Sequence, residues 1–157
     1  MLDLTTLEGV IRTSPFFKRN SPGVIHGIYR SYFPRFQGFS GELLSKEELA
    51  TLAVEFYKSF YWYKLKLDQI EDHKVATMLL YFSSMEGSKK ALQKTNKTIG
   101  LIYGTSGYQG FSSDLVVALN SSSEVYKTLM IELLEFYSYT GRHRDSEWIF
   151  EVYRIHL

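Results

Sequence analysis

Glu8 stands in an apolar stretch, Leu7-Glu8-Gly9-Val10-Ile11, one residue before a glycine and seven before Pro15. A carboxylic acid in such surroundings can act as a proton donor, because apolar neighbours penalise its charged form and glycine lets a ligand approach the backbone. The same side chain has a second reading. Thr5-x-x-Glu8 is a capping box, in which the carboxylate satisfies a free amide at a helix start. Glycoside hydrolysis would usually ask for a second carboxylate beside the acid. Glu42, Asp68, Glu71, Asp72, Glu86 and Asp114 are available, and spacing singles out none of them.

Other chemistries find less support. His26, His73, His143 and His156 are scattered over four different elements without a His-x-x-x-His pair, and there is no cysteine, so neither a metal set nor a thiol nucleophile is expected. Gly100-x-x-x-Gly104 and Gly107-x-x-Gly110 lack the Lys-Ser/Thr pair of a phosphate cradle and are read as turns. No Gly-x-Ser-x-Gly elbow presents a serine nucleophile. The serines fall where caps and loops are needed.

Composition narrows the class further. The chain has 157 residues, the size of one domain, with 45% hydrophobic and 22% charged residues, which excludes a disordered polymer. Lys and Arg are spread out and the formal net charge is +1, so no footprint for a phosphate backbone exists and nucleic acid is not an expected partner. No apolar run approaches the length of a membrane span. Met1-Leu2-Asp3-Leu4 shows neither the basic segment nor the apolar stretch of a secretory signal, so synthesis in the cytoplasm without a signal peptide is expected. Aromatic residues make up 16%, chiefly 12 Tyr and 11 Phe, which fill cores and also line clefts.

The elements that would position Glu8 are helical. A first helix is expected over Thr5 to Ile11, then an irregular segment to Pro22, then a short helical piece with Gly27-Ile28-Tyr29 that Pro34 ends. Arg35 to Gly41 reads as a connector with exposed aromatics, a candidate cleft rim. Ser45-x-x-Glu48 caps a helix with Leu49, Leu52, Ala53, Phe56 and Phe60 at three-to-four spacing, ending near Tyr61-Trp62-Tyr63. Asp72 opens a central buried helix marked by Val75, Met78, Leu79, Phe82 and Met85 and stopped by Gly87. A more polar helix follows over Ser88 to Thr98, and Gly100 to Gly110 is an extended loop. Ser112 or Ser113 caps Leu115 to Leu119, Ser122 opens a long helix closed by Gly141, and Ser146 caps a last helix from Glu147 to about His156 with Trp148 and Val152 inward. The fold class is all-α.

Taken in order, several segments resemble a known family. Glu8-Gly9-Val10-Ile11 with Pro15 is similar to an opening Glu-Gly-Gly-Tyr and its proline, and Val24-Ile25-His26-Gly27-Ile28 to a segment ending Thr-x-x-Gly-Ile. Tyr32-Phe33-Pro34-Arg35-Phe36-Gln37-Gly38 resembles an aromatic run with Pro-x-x-x-Gly, and Tyr61-Trp62 a Tyr-Trp at the end of a long helix. Tyr81 to Gly87 matches a central helix carrying Asp and Asn before Ser-Gly, Leu92-Gln93 a Leu-Gln pair, Ser106 to Ser113 an Asp-Gly-x-x-Gly-x-x-Thr segment, and Phe136-Tyr137 a closing Phe-Tyr. The family is that of the bacterial and phage lysozyme-like muramidases, glycoside hydrolase family 108. The departures are Val24 for Thr, Tyr81 for Asp, Met85 for Asn and Val10-Ile11 for Gly-Tyr.

The resemblance implies one lysozyme-like domain, with residues 1–98 as a catalytic-type helical core and 99–157 as a peptidoglycan-binding-like subregion. It implies an N-acetylmuramidase without metal or cofactor, a phage endolysin or virion component that cleaves glycan strands of peptidoglycan and reaches the cell wall through a holin or as part of a particle. Glu8 would protonate the leaving oxygen, held uncharged by Phe33, Tyr81 and Phe82, and His26, Tyr29 and Tyr81 would line the sugar cleft. The alternative is a catalytically inactive descendant that binds or builds, as a component of a phage particle or secretion machine alongside its other proteins.

Overall fold

The computed structural model describes residues 6–154. Among them are seven α-helices and one two-stranded sheet, so the fold is all-α as the patterning implies. The chain divides into two units, Met1–Phe60 and Tyr61–Leu157. The subdivision expected near residue 98 falls inside a continuous helix, where nothing interrupts the hydrogen-bond ladder.

In the first unit, α1 is Leu7–Thr13. Its cap is Thr6, whose hydroxyl accepts from the Gly9 amide at 2.9 Å. Thr5, the expected cap, lies outside the described residues. Leu7, Val10 and Ile11 are buried, leaving Glu8 on the wet side of the same helix. The piece expected to be helical around Gly27 is instead a hairpin, β1 Val24–Ile25 and β2 Ile28–Tyr29, paired antiparallel as Val24 with Tyr29 and Ile25 with Ile28. Its two central residues, His26 (φ 47°) and Gly27 (φ 75°), are both left-handed, the tight-turn conformation that suits strand twist. Glycine is required at 27 twice over, since an added Cβ would also sit 3.2 Å from the Tyr57 hydroxyl.

A 3-10 turn, Gln37–Phe39, precedes α2, Lys46–Tyr57. The capping box is present in both directions: Ser45 Oγ accepts from the Glu48 amide at 3.1 Å, and the Ser45 amide donates to the Glu48 carboxylate at 3.3 Å. The ladder then widens into one π-helical turn, Lys58–Trp62.

The second unit is built round α3, His73–Glu86, in which every residue from Val75 to Ser83 is buried. Such a helix is apolar on all sides and must be surrounded. Asp72 caps it through the Lys74 amide, and Gly87 (φ 95°) ends it. Next, α4 runs over Ser88–Tyr103 and closes at Gly104. It continues past Thr98 through Gly100, a poor helix former, where an added Cβ would lie 3.3 Å from Ser106 Oγ. Asn96 then pins the following loop, accepting from the Tyr108 amide at 3.0 Å and donating to the Tyr108 carbonyl at 2.9 Å.

Ser112 is the cap of α5, Ser113–Asn120. The segment from Ser122 leads into α6, Val125–Tyr139, with the Ser122 hydroxyl accepting from the Glu124 amide. A 3-10 turn, His143–Ser146, precedes α7, Glu147–Arg154, where Trp148 and Val152 are buried. The Ser146 hydroxyl donates back to the His143 carbonyl at 2.6 Å, and the expected end at His156 lies outside the described residues. Within this unit α4 packs on α6 and α3, and α3 on α6 and α7. No helix among the described residues is long and apolar enough to cross a membrane.

Candidate functional site

Placed on the outer face of α1, Glu8 is not where a proton donor needs to be. Its side chain is 57% exposed, and Oε1 accepts from Arg12 Nε at 2.9 Å, one helical turn on. Arg12 reaches further, donating to Glu47 at 3.1 Å and to the Thr51 hydroxyl at 3.4 Å, both on α2. The guanidinium is held more firmly protonated than usual, chiefly by the Glu8 hydrogen bond, which burial opposes and Glu47 reinforces. The group thus clips two helices together at the surface. A general acid needs an environment that penalises its charge, and water plus a guanidinium supplies the opposite. The apolar seat expected for Glu8 is therefore corrected to an exposed ion pair.

The residues expected to shelter it have other partners. Tyr81 is fully buried on α3, stacked on Trp148 with ring centroids 5.0 Å apart and planes 5° from parallel, and its hydroxyl donates to Glu151 at 3.2 Å. It cannot line an open cleft, because no surface of it reaches solvent. Phe82 is equally buried, edge-on to Phe136 and Tyr137. Phe33 packs edge-on against Phe56 and Phe60 at 4.8 and 5.3 Å.

His26 serves the hairpin turn rather than a surface. Its Nδ1 lies 2.9 Å from the Phe17 carbonyl, its own amide donates to Asn20, and its carbonyl accepts from the buried Tyr57 hydroxyl at 2.8 Å. Partial burial pushes its pKa below the ordinary value; the Phe17 carbonyl opposes this, and Arg12 and Lys18 add to it. A lowered folded value means that the unfolded chain takes up the proton first as pH falls. This stabilisation is complete above the ordinary value of 6.5 and is lost as pH falls from there towards the folded value. Urea midpoints of the first unit should therefore drop between pH 7 and pH 5, and His26→Asn, which tolerates the left-handed turn, should flatten that drop. An unchanged slope in the variant would remove His26 from the account. Tyr29 is 40% exposed on β2, with Tyr32 edge-on at 6.1 Å, and of the expected cleft residues it alone offers an open aromatic surface.

A concave feature of this unit takes Tyr32 into its wall. A groove of about 600 Å³ is lined by Tyr32 to Gln37 on one side and by Leu52, Glu55, Phe56, Ser59 and Phe60 on the other. The expected rim, Arg35 to Gly41, thus supplies part of one wall. Its lining is chiefly Phe33, Phe36, Phe56 and Phe60, with Phe56 and Phe60 stacked at 4.6 Å and the other pairs edge-on. A second trough of about 590 Å³ shares Gln37 and Leu52 with it and carries Glu42, Glu47 and Glu48.

The α2 wall of the groove carries no mark in the sequence, because Leu52, Phe56 and Phe60 keep strict helical spacing, the signature of a core stripe. Only Phe56 of the three is buried. Sequence reasoning missed Arg12, although Glu8 and Arg12 stand four residues apart, the spacing of a helical ion pair. Among the described residues no group of three or more His, Asp or Glu is placed to hold a metal. No family model matches the chain, and neither a curated protein nor a solved structure matches it.

Proposed function

We propose that this chain is a non-hydrolytic binding module, a descendant of a scaffold resembling the family 108 muramidases that now serves as a docking or structural component of a phage particle or secretion machine. The observation that carries this reading is the state of Glu8, exposed to 57% and committed to Arg12. Apolar or aromatic residues at Val24, Tyr81 and Met85, where the resembled family has polar ones, support it. So does the character of the groove. Carbohydrate sites pair an aromatic face with free hydrogen-bonding groups for the sugar hydroxyls, whereas here four phenylalanines pack on one another and the Glu55 carboxylate in the wall is taken up by Lys58.

The muramidase reading is the one the experiment must exclude. Incubation of the purified chain with sacculi, followed by chromatography of the soluble products, is expected to release no muropeptides, and Glu8→Gln should behave as the wild type. Muropeptide release that Glu8→Gln abolishes would overturn the proposal and restore Glu8 as the acid.

A further inference from the structure

We infer that the phenylalanine groove and the acidic trough beside it form one continuous track for a peptide segment of a partner protein, apolar anchors seated in the groove, an acidic residue facing Arg35 and a basic one facing Glu42. This rests on the binding reading above and gives it a ligand class. The two depressions adjoin, since Gln37 and Leu52 line both. Polarity follows from the charges that remain unspent. Glu47 is held by Arg12, Glu48 by the capping box and Glu55 by Lys58 at 3.3 Å. Among the described residues Arg35 and Glu42 have no such partner, and each lines only one of the two depressions, Arg35 the groove and Glu42 the trough.

The groove itself is largely apolar and open. Phe60 is 47% exposed and Tyr32 76%, a clustered aromatic surface of the kind that marks a protein-binding face. A neutral glycan would neutralise neither Arg35 nor Glu42, and an acyl chain would leave both charges unanswered. A peptide answers all three features, with apolar side chains in the middle and opposite charges at the ends, the charges setting its direction.

The test uses the full chain and short synthetic peptides carrying Leu and Phe anchors, with Lys or Glu placed at either end in every arrangement, read by fluorescence anisotropy. Peptides with one terminus basic and the other acidic, in one direction only, should bind several-fold tighter than those with two like charges. Phe60→Asp should weaken binding roughly tenfold or more, and because Phe60 is already half in water its urea midpoint should stay near wild type. Arg35→Glu should reverse the charge preferred at one end, and Glu42→Lys at the other.

Binding no better than that of Phe60→Asp, or charge preferences that neither swap moves, would overturn the inference. So would N-acetylglucosamine oligomers bound in a Phe60-dependent way, which would give the track to a glycan, or a dimer in sedimentation velocity that Phe60→Asp dissociates, which would give it to a second copy. Any of these, together with no muropeptide release, removes the peptide and leaves the binding module; muropeptide release removes the module itself.

Discussion

Arg142→Met is expected to destabilise the second unit by about 3 kcal/mol, read as a lowered urea midpoint with an unchanged slope. The reason lies in Glu86 at the end of α3, whose side chain is only 4% exposed. Arg142 meets it with both terminal nitrogens: Nη1 donates to Oε2 at 3.0 Å, and Nη2 lies 2.6 Å from Oε1 in close ionic contact without hydrogen-bond alignment. The same guanidinium donates through Nε to Asp145 at 2.7 Å and lies over the Tyr137 ring, 5.6 Å from its centre. Its pKa is raised, first by the Glu86 hydrogen bond and then by Asp145.

Methionine keeps much of the stem and removes the charge. Glu86 is then left with Lys90, 3.9 Å away and itself half exposed, which is too distant and too wet to replace a two-pronged contact. The figure sits at the low end for breaking a buried pair because the Arg142 side is 39% exposed and partly screened by water. Adding Glu86→Gln to Arg142→Met should recover a large part of the loss, since the amide carries no charge to strand. Arg144→Met, on a neighbouring exposed arginine, should change stability by no more than about 0.5 kcal/mol. A cost for Arg142→Met as small as that of Arg144→Met would mean that the pair is surface-like despite the burial of Glu86.

Neither Glu86 nor Arg142 was distinguishable in the sequence, where Glu86 is one of several acids and Arg142 one residue of a charged turn. What was legible was whatever is decided within one helical turn. Ser45 with Glu48, Asp72, Gly87, Ser112 and Gly141 fix helix ends through hydrogen bonds or backbone freedom that need only a few neighbours. The apolar face of α3 was legible for a similar reason, since Val75, Met78, Leu79 and Phe82 recur at helical spacing, and the structure adds that the helix is buried on its other sides too. The hairpin was not, because two-residue strands are too short to display an alternating pattern and His26-Gly27 is not the usual Asn-Gly or Asp-Gly turn.

The candidate site failed in the sequence for a different reason. Whether Glu8 is sheltered, or whether Phe60 faces a core or a groove, depends on which elements cover them, and spacing along one helix is silent on that. Tyr81 shows the reverse error. Its position in the resembled family suggested a cleft, whereas the burial of the whole α3 segment around it, already implied by its apolar run, places it in the core.

Phe17→Ala is expected to cost the first unit about 3–5 kcal/mol. Phe17 has no exposed surface, and its ring meets Phe16 and Tyr57 edge-on, each at 4.9 Å. Removing it opens a cavity beside the side chain that holds the hairpin turn, since the Tyr57 hydroxyl is the donor to the His26 carbonyl. A unit of this size buries a smaller share of its surface than a larger domain and has little stability in reserve. The same loss that a large core would survive should therefore leave this one substantially open at 25 °C. Hydrogen exchange by mass spectrometry should show protection collapsing in α1 and α2 while amides of α3 and α4 keep theirs. Phe17→Leu, which retains most of the bulk, should cost roughly half as much and keep that protection. Equal loss of protection in α3 and α4 would mean that the chain opens as a whole, and an unaltered exchange pattern in Phe17→Ala would contradict the central place given to this ring.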